Sequence, residues 1–181
     1  MTIAVRRAGA ADAAALVRLR AEMYADMGDS SDAPDAPDAP WRPAAEAWFT
    51  AWLPRTDEVA AFVVDEPGVG PVACALGLVE HPPPSPSNPV GIRGHVSQVS
   101  TLPAFQRRGY ARACVTALLD WFERETDARR LDLSPSARTP RRFASRRNRR
   151  SGAPATTSGE PRYRSLGFTP SSYPALRLRL H

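Results

Sequence analysis

Val99-Ser100-Thr101-Leu102-Pro103-Ala104-Phe105-Gln106-Arg107-Arg108-Gly109-Tyr110-Ala111 is the stretch on which the fold turns. It begins inside an alternating run, residues 95–101, that reads as a strand and ends at Leu102-Pro103. From Gly109 onward the apolar positions Ala113, Leu118, Leu119 and Phe122 recur at helical spacing. A loop that empties from a strand into a helix N-terminus presents unpaired N–H groups and the positive end of the helix dipole, which favours phosphate. Gly109 lets the main chain approach an anion closely, and Arg107 and Arg108 add positive charge. Taken alone, the pattern suits an ordinary strand-to-helix turn with two solvated arginines equally well.

Upstream, residues 59–65 and 71–79 are β-type runs joined by Glu66-Pro67-Gly68-Val69-Gly70, a hairpin connection. Residues 3–6 suit a short first strand, and Leu16, Leu19, Met23, Tyr24 and Met27 form one stripe of a helix over 11–27. A second helix starts near Pro43 and collects Trp48, Phe49, Trp52 and Leu53 on an apolar face. Downstream come a short strand at 130–133, a one-turn helix around 160–166 stopped by Gly167, and a last strand over 173–180. The predicted order is β-α-α-β-β-β-α-β-α-β, an α+β fold.

A chain of 181 residues, 43% of them hydrophobic, fits one domain over 1–181. All 24 basic residues are arginine, which reads as a compositional bias rather than a choice made at one site. Cys74 and Cys114 sit in apolar runs without metal or redox spacing, so they read as a buried, reduced pair. With no secretory h-region and no apolar stretch near 20 residues, the expectation is a cytoplasmic protein with no membrane partner. The Asp-Ala-Pro repeats at 29–40 and the prolines of 81–92 read as loops. Asp32, Asp35 and Asp38 could attract a cationic amine, although an acidic repeat is usually a solvated loop. Seven arginines crowd residues 138–150, inside an insertion at about 138–157 that reads as disordered.

Gln106-x-x-Gly109-x-Ala111 resembles the [Gln/Arg]-x-x-Gly-x-[Gly/Ala] signature of the GNAT acetyltransferase superfamily, in its expected place after a strand and a proline. Tyr163-Arg164-Ser165-Leu166-Gly167-Phe168 is similar to that family's Tyr-x-x-Leu-Gly-Phe segment. The resemblance implies a splayed mixed sheet flanked by helices, with a bulge on the fourth strand that frees main-chain groups for the pantetheine arm of acetyl-CoA. It assigns that contact to Val99 and Thr101, the pyrophosphate to the amides of Arg107, Arg108, Gly109, Tyr110 and Ala111, and the fixing of the loop to Gln106. It implies an N-acetyltransferase that uses acetyl-CoA as co-substrate and no metal, acting by direct attack of an amine of a small molecule or peptide. Tyr163 matches the family's general acid, since a phenol donates a proton without carrying charge. The base stays open among Glu80, His81, His95 and a water chain. Homodimers are common in the family, and nothing in the sequence decides for or against one. Apart from the arginine-rich insertion, nothing points to nucleic acid; a CoA-binding or RNA-binding module that uses this insertion and has lost turnover is the alternative reading.

Overall fold

Small and apolar residues fill most of 59–80, and the hairpin they form is buried between two helical layers. The computed structural model describes residues 3–26, 39–128, 130–133, 165, 169–170 and 176–179. Strand β1 (Arg6–Arg7) is followed by helices α1 (Ala13–Asp26) and α2 (Trp41–Trp52), then by the hairpin strands β2 (Val59–Glu66) and β3 (Gly70–Glu80). Gly68 and Gly70, at φ 76° and 77°, make the tight connection that a side chain would strain. Next come β4 (Arg93–Thr101), α3 (Tyr110–Glu125), β5 (Arg130–Leu133), β6 (Thr169–Pro170) and β7 (Leu176–Arg179). The strands form one sheet in the order β1-β2-β3-β4-β5-β7-β6. The β4–β5 pair is parallel and the other described pairs are antiparallel, so the sheet is mixed.

Alternate residues of β2 and β3 serve two cores, because successive side chains of a strand point to opposite faces. On one face Cys114, Val115, Leu118, Trp121 and Phe122 of α3 pack against Ala60, Val64, Ala73 and Ala75. On the other, Leu16, Leu19, Phe49 and Leu53 from the α1–α2 layer cover Val59, Ala61, Val63, Cys74 and Leu76. Gly77 and Gly94 form a flat bed for the Phe122 ring: a Cβ on either would lie 2.7 Å or 2.6 Å from its atoms. Arg6 ties β1 to the start of α1 through Asp12 at 2.8 Å and to β2 through Asp65. This pairing holds the Asp12 carboxyl below the usual carboxylate range.

The expected elements through β5 are present, with shifted ends. Residues 10–12 form a 3₁₀ turn ahead of α1, and β4 begins at Arg93 rather than 95. Strand β6 is an addition to the expected order. On the apolar face of α2, Phe49 and Leu53 are buried, whereas Trp48 and Trp52 are half-buried. The two indoles stack at 5.6 Å near the surface, with Arg55 over Trp52 at 4.2 Å. Within 81–92 the prolines frame a tight turn in which Ser85 and Asn88 exchange main-chain hydrogen bonds of 2.9 Å. Most of the acidic repeat, the arginine-rich insertion, Tyr163, Gly167 and most of the expected helix at 160–166 lie outside the described residues.

Candidate active site

The register of β3 against β4 runs evenly from Ala73↔Thr101 to Leu76↔Gln98 and then jumps to Gly77↔Val96, leaving Ser97 without a partner on β3. An extra residue of this kind is a β-bulge, and it changes which face the following side chains take. Gly94 and Val96 lie under α3, whereas Gln98 turns toward α1 and donates from Nε2 to the Leu16 carbonyl at 3.3 Å. On its other side β4 pairs with β5 only from Gly94 to Val96 among the described residues. Main-chain groups between Ser97 and Thr101 on that side therefore have no described strand to bond, and an extended ligand could take them. The Thr101 hydroxyl is buried with no hydrogen-bond partner among the described residues, an orphan that such a ligand would satisfy.

Past β4, Leu102 N–H donates to the Val72 carbonyl at 2.9 Å and Pro103–Phe105 make one 3₁₀ turn. Gln106 reaches back from Nε2 to the Thr101 carbonyl at 3.3 Å, closing the loop on the strand. Arg107 at φ 63° and Gly109 at φ 85° are both left-handed, a geometry that costs roughly 1–2 kcal/mol for a residue with a Cβ. No side chain caps α3 and its first turn holds no acid, so its leading amides keep their donors for a ligand. Arg108 lies over the Phe105 ring at 5.1 Å and 3.7 Å from Glu66, which also accepts a short hydrogen bond from the Tyr110 hydroxyl. The last residue of β2 is thus anchored to the head of α3. Open amides, two arginines and the orphan hydroxyl fit a phosphate group continued by a polar, extended arm.

The model of the Acetyltransferase (GNAT) family matches residues 20–146 of the chain, a span that includes β4, this loop and α3. The chain is a GNAT-family acetyltransferase. No curated protein sequence matches it significantly. Among solved structures it is similar to a predicted acetyltransferase from Clostridium acetobutylicum solved with acetyl-CoA, with TM-score 0.67, 19% identity, and 99% of this chain and 96% of that one covered. It is similar also to a GCN5-related N-acetyltransferase from Ralstonia eutropha JMP134, with TM-score 0.64, 20% identity and 95% of both chains covered. A third likeness is to the aminoglycoside N-acetyltransferase AAC(6')-Iy in complex with CoA, with TM-score 0.63, 17% identity, and 95% and 91% covered.

In this acetyltransferase the three base candidates are spread along the sheet. Glu80 pairs in register with Arg93, whose Nε donates to its carboxylate at 2.6 Å. That pair lies at the opposite end of β4 from the loop, eight residues or roughly 25 Å along the strand. His81 is exposed just beyond β3. His95 is two residues from the bulge, partly buried, and on the α1 side, since Gly94 beside it faces Phe122. The proton donor candidate Tyr163 lies outside the described residues.

Two groups beside the candidate site carry no local motif in the sequence. Glu66 reads in the sequence as part of a hairpin connection, and its reach to Tyr110 spans 44 residues of chain that no local pattern reports. Gln98 is not among the site residues that the sequence offers. It is 1% exposed, and it donates to Cys74 Sγ at 3.2 Å while accepting from Arg20 Nη1 at 3.2 Å. A polar residue at a buried strand position is the signal that could have found this network.

Proposed function

We propose that this acetyltransferase transfers the acetyl group of acetyl-CoA to an amine of a small molecule or peptide by direct attack. The observation that carries this reading is the left-handed, uncapped loop 106–110, which follows a strand whose pairing breaks at Ser97. The amides of Arg107, Arg108, Gly109, Tyr110 and Ala111 hold the pyrophosphate, and Gln106 keeps the loop closed. Val99 and Thr101 hold the pantetheine arm, which sets the thioester near the bulge. The amine nitrogen forms its bond to the acyl carbon as the carbon–sulfur bond breaks, so the chain must take a proton from the amine and give one to the sulfur. Tyr163 gives that proton. His95 is better placed than Glu80 or His81 to receive the other, because it alone of the three lies within two residues of the bulge. The two buried free thiols agree with work in the reducing cytoplasm.

Calorimetry with acetyl-CoA and a CoA-thiol release assay over a broad amine panel test the proposal. Saturable binding together with release for at least one amine is expected. Absence of both would overturn it, and binding without release to any amine would overturn the transfer step.

A further inference from the structure

Arg20 projects from α1 where that helix packs on β4. It is partly buried. Its Nη1 donates to Gln98 Oε1 at 3.2 Å, and its guanidinium carbon sits 5.2 Å from the Tyr24 ring centroid. Tyr24 is braced edge-on against Trp41 at 5.7 Å. Gln98 cannot turn its amide around without losing its bonds to the Leu16 carbonyl and Cys74 Sγ and setting N–H groups against the guanidinium. The arginine is therefore held from two sides. Among the described residues no carboxylate lies within ion-pair reach of it.

A partly buried guanidinium is costly unless an anion meets it, and among the described residues the one hydrogen bond to Gln98 leaves most of its five N–H donors unspent. Its neighbour Gln98 directly follows the unpaired Ser97, on the sheet face that α1 covers. We infer that Arg20 is a specificity residue that binds a carboxylate on the acceptor, so that the preferred acceptors are amines bearing a carboxylate, such as amino acids or peptides. This inference rests on the acetyl-transfer reading, since the bulge sets where the thioester lies. It separates this chain from enzymes of polycationic aminoglycosides, whose ammonium groups Arg20 would repel. A planar guanidinium matches a carboxylate with two parallel hydrogen bonds, which an ammonium cannot reproduce.

The test compares L-alanine, L-lysine and glycylglycine with their C-terminal amides as acceptors for the full-length protein and for Arg20→Gln and Arg20→Lys. The amides carry the more readily deprotonated amine, so amine reactivity cannot produce a preference for the free acids. The wild type should favour the free acids in kcat/KM by about tenfold or more. Arg20→Gln should erase that preference while KM for acetyl-CoA, which also reports folding, stays unchanged, and Arg20→Lys should keep part of it. Equal turnover of acids and amides by the wild type, or a preference that survives in Arg20→Gln, would overturn the inference. If CoA binds and no amine is acetylated, the transfer step of the proposed function fails, and calorimetry of the same pairs on CoA-saturated protein still reads Arg20. There, tighter binding of the acids that is lost in Arg20→Gln supports the inference, and equal or absent binding overturns it.

Discussion

Glu66 is a carboxylate beside a loop that otherwise gathers positive charge, 3.7 Å from Arg108 and bonded to Tyr110. Glu66→Gln retains an oxygen for the Tyr110 hydroxyl but removes the negative charge that competes with a phosphate for Arg108. The expected outcome is a several-fold lower Kd for CoA, about 0.5–1 kcal/mol, with a steeper dependence on salt by calorimetry. A weaker complex would show that Glu66 acts mainly through the Tyr110 anchor. Tyr163→Phe should lower kcat by about a hundredfold or more, the low end of what general acids contribute, with the Kd for CoA little changed. Equal losses in both would mean that the ring packs against CoA and gives no proton. At this scale the geometry of the loop at Gln106, Arg107 and Gly109 was legible because a local segment builds it from its own residues. Arg20 and Glu66 were not, because their roles depend on partners 78 and 44 residues away.

Strand β4 shows why the presence of an element was easier to read than its faces. Its even-numbered residues from Gly94 to Ser100 are all buried, which suggests a strand with one buried side. The bulge at Ser97 divides that set: Gly94 and Val96 belong to the α3 face and Gln98 to the α1 face. The sequence carries no local mark of the extra residue, since the burial period continues unbroken across the change of face. Gly94 and Gly77, by contrast, report close approach of a helix. A Cβ at Gly94 would fall 2.2 Å from Leu131 Cδ2 as well as 2.6 Å from Phe122. Gly94→Ala is expected to cost about 1–3 kcal/mol by overpacking, read as a lower urea midpoint with an unchanged slope.

For the whole molecule, two cores and one sheet bury both thiols, and this couples stability to alkaline pH. Burial pushes the Cys74 thiol up to about 12 from an ordinary 9.0, and it raises Cys114 as well. In the unfolded chain both ionise near the ordinary value, while the native protein keeps their protons. Their contribution to stability is therefore complete below pH 9.0 and lost progressively as pH rises above it. Urea midpoints should fall over that range, and the double variant Cys74→Ala, Cys114→Ala should flatten the decline although it is less stable at neutral pH. The helical and hairpin periods made the order through β5 readable. The two-residue strand β6 was too short to show a period. Although β7 is the last described strand in the chain, it lies inside the sheet, between β5 and β6. On the ribosome β6 therefore emerges before the strand it pairs with, and the outer edge of β5 stays open until residues 176–179 have been made. In that interval the edge can template pairing with another nascent chain, so the synthesis of residues 176–179 is the step that protects that edge.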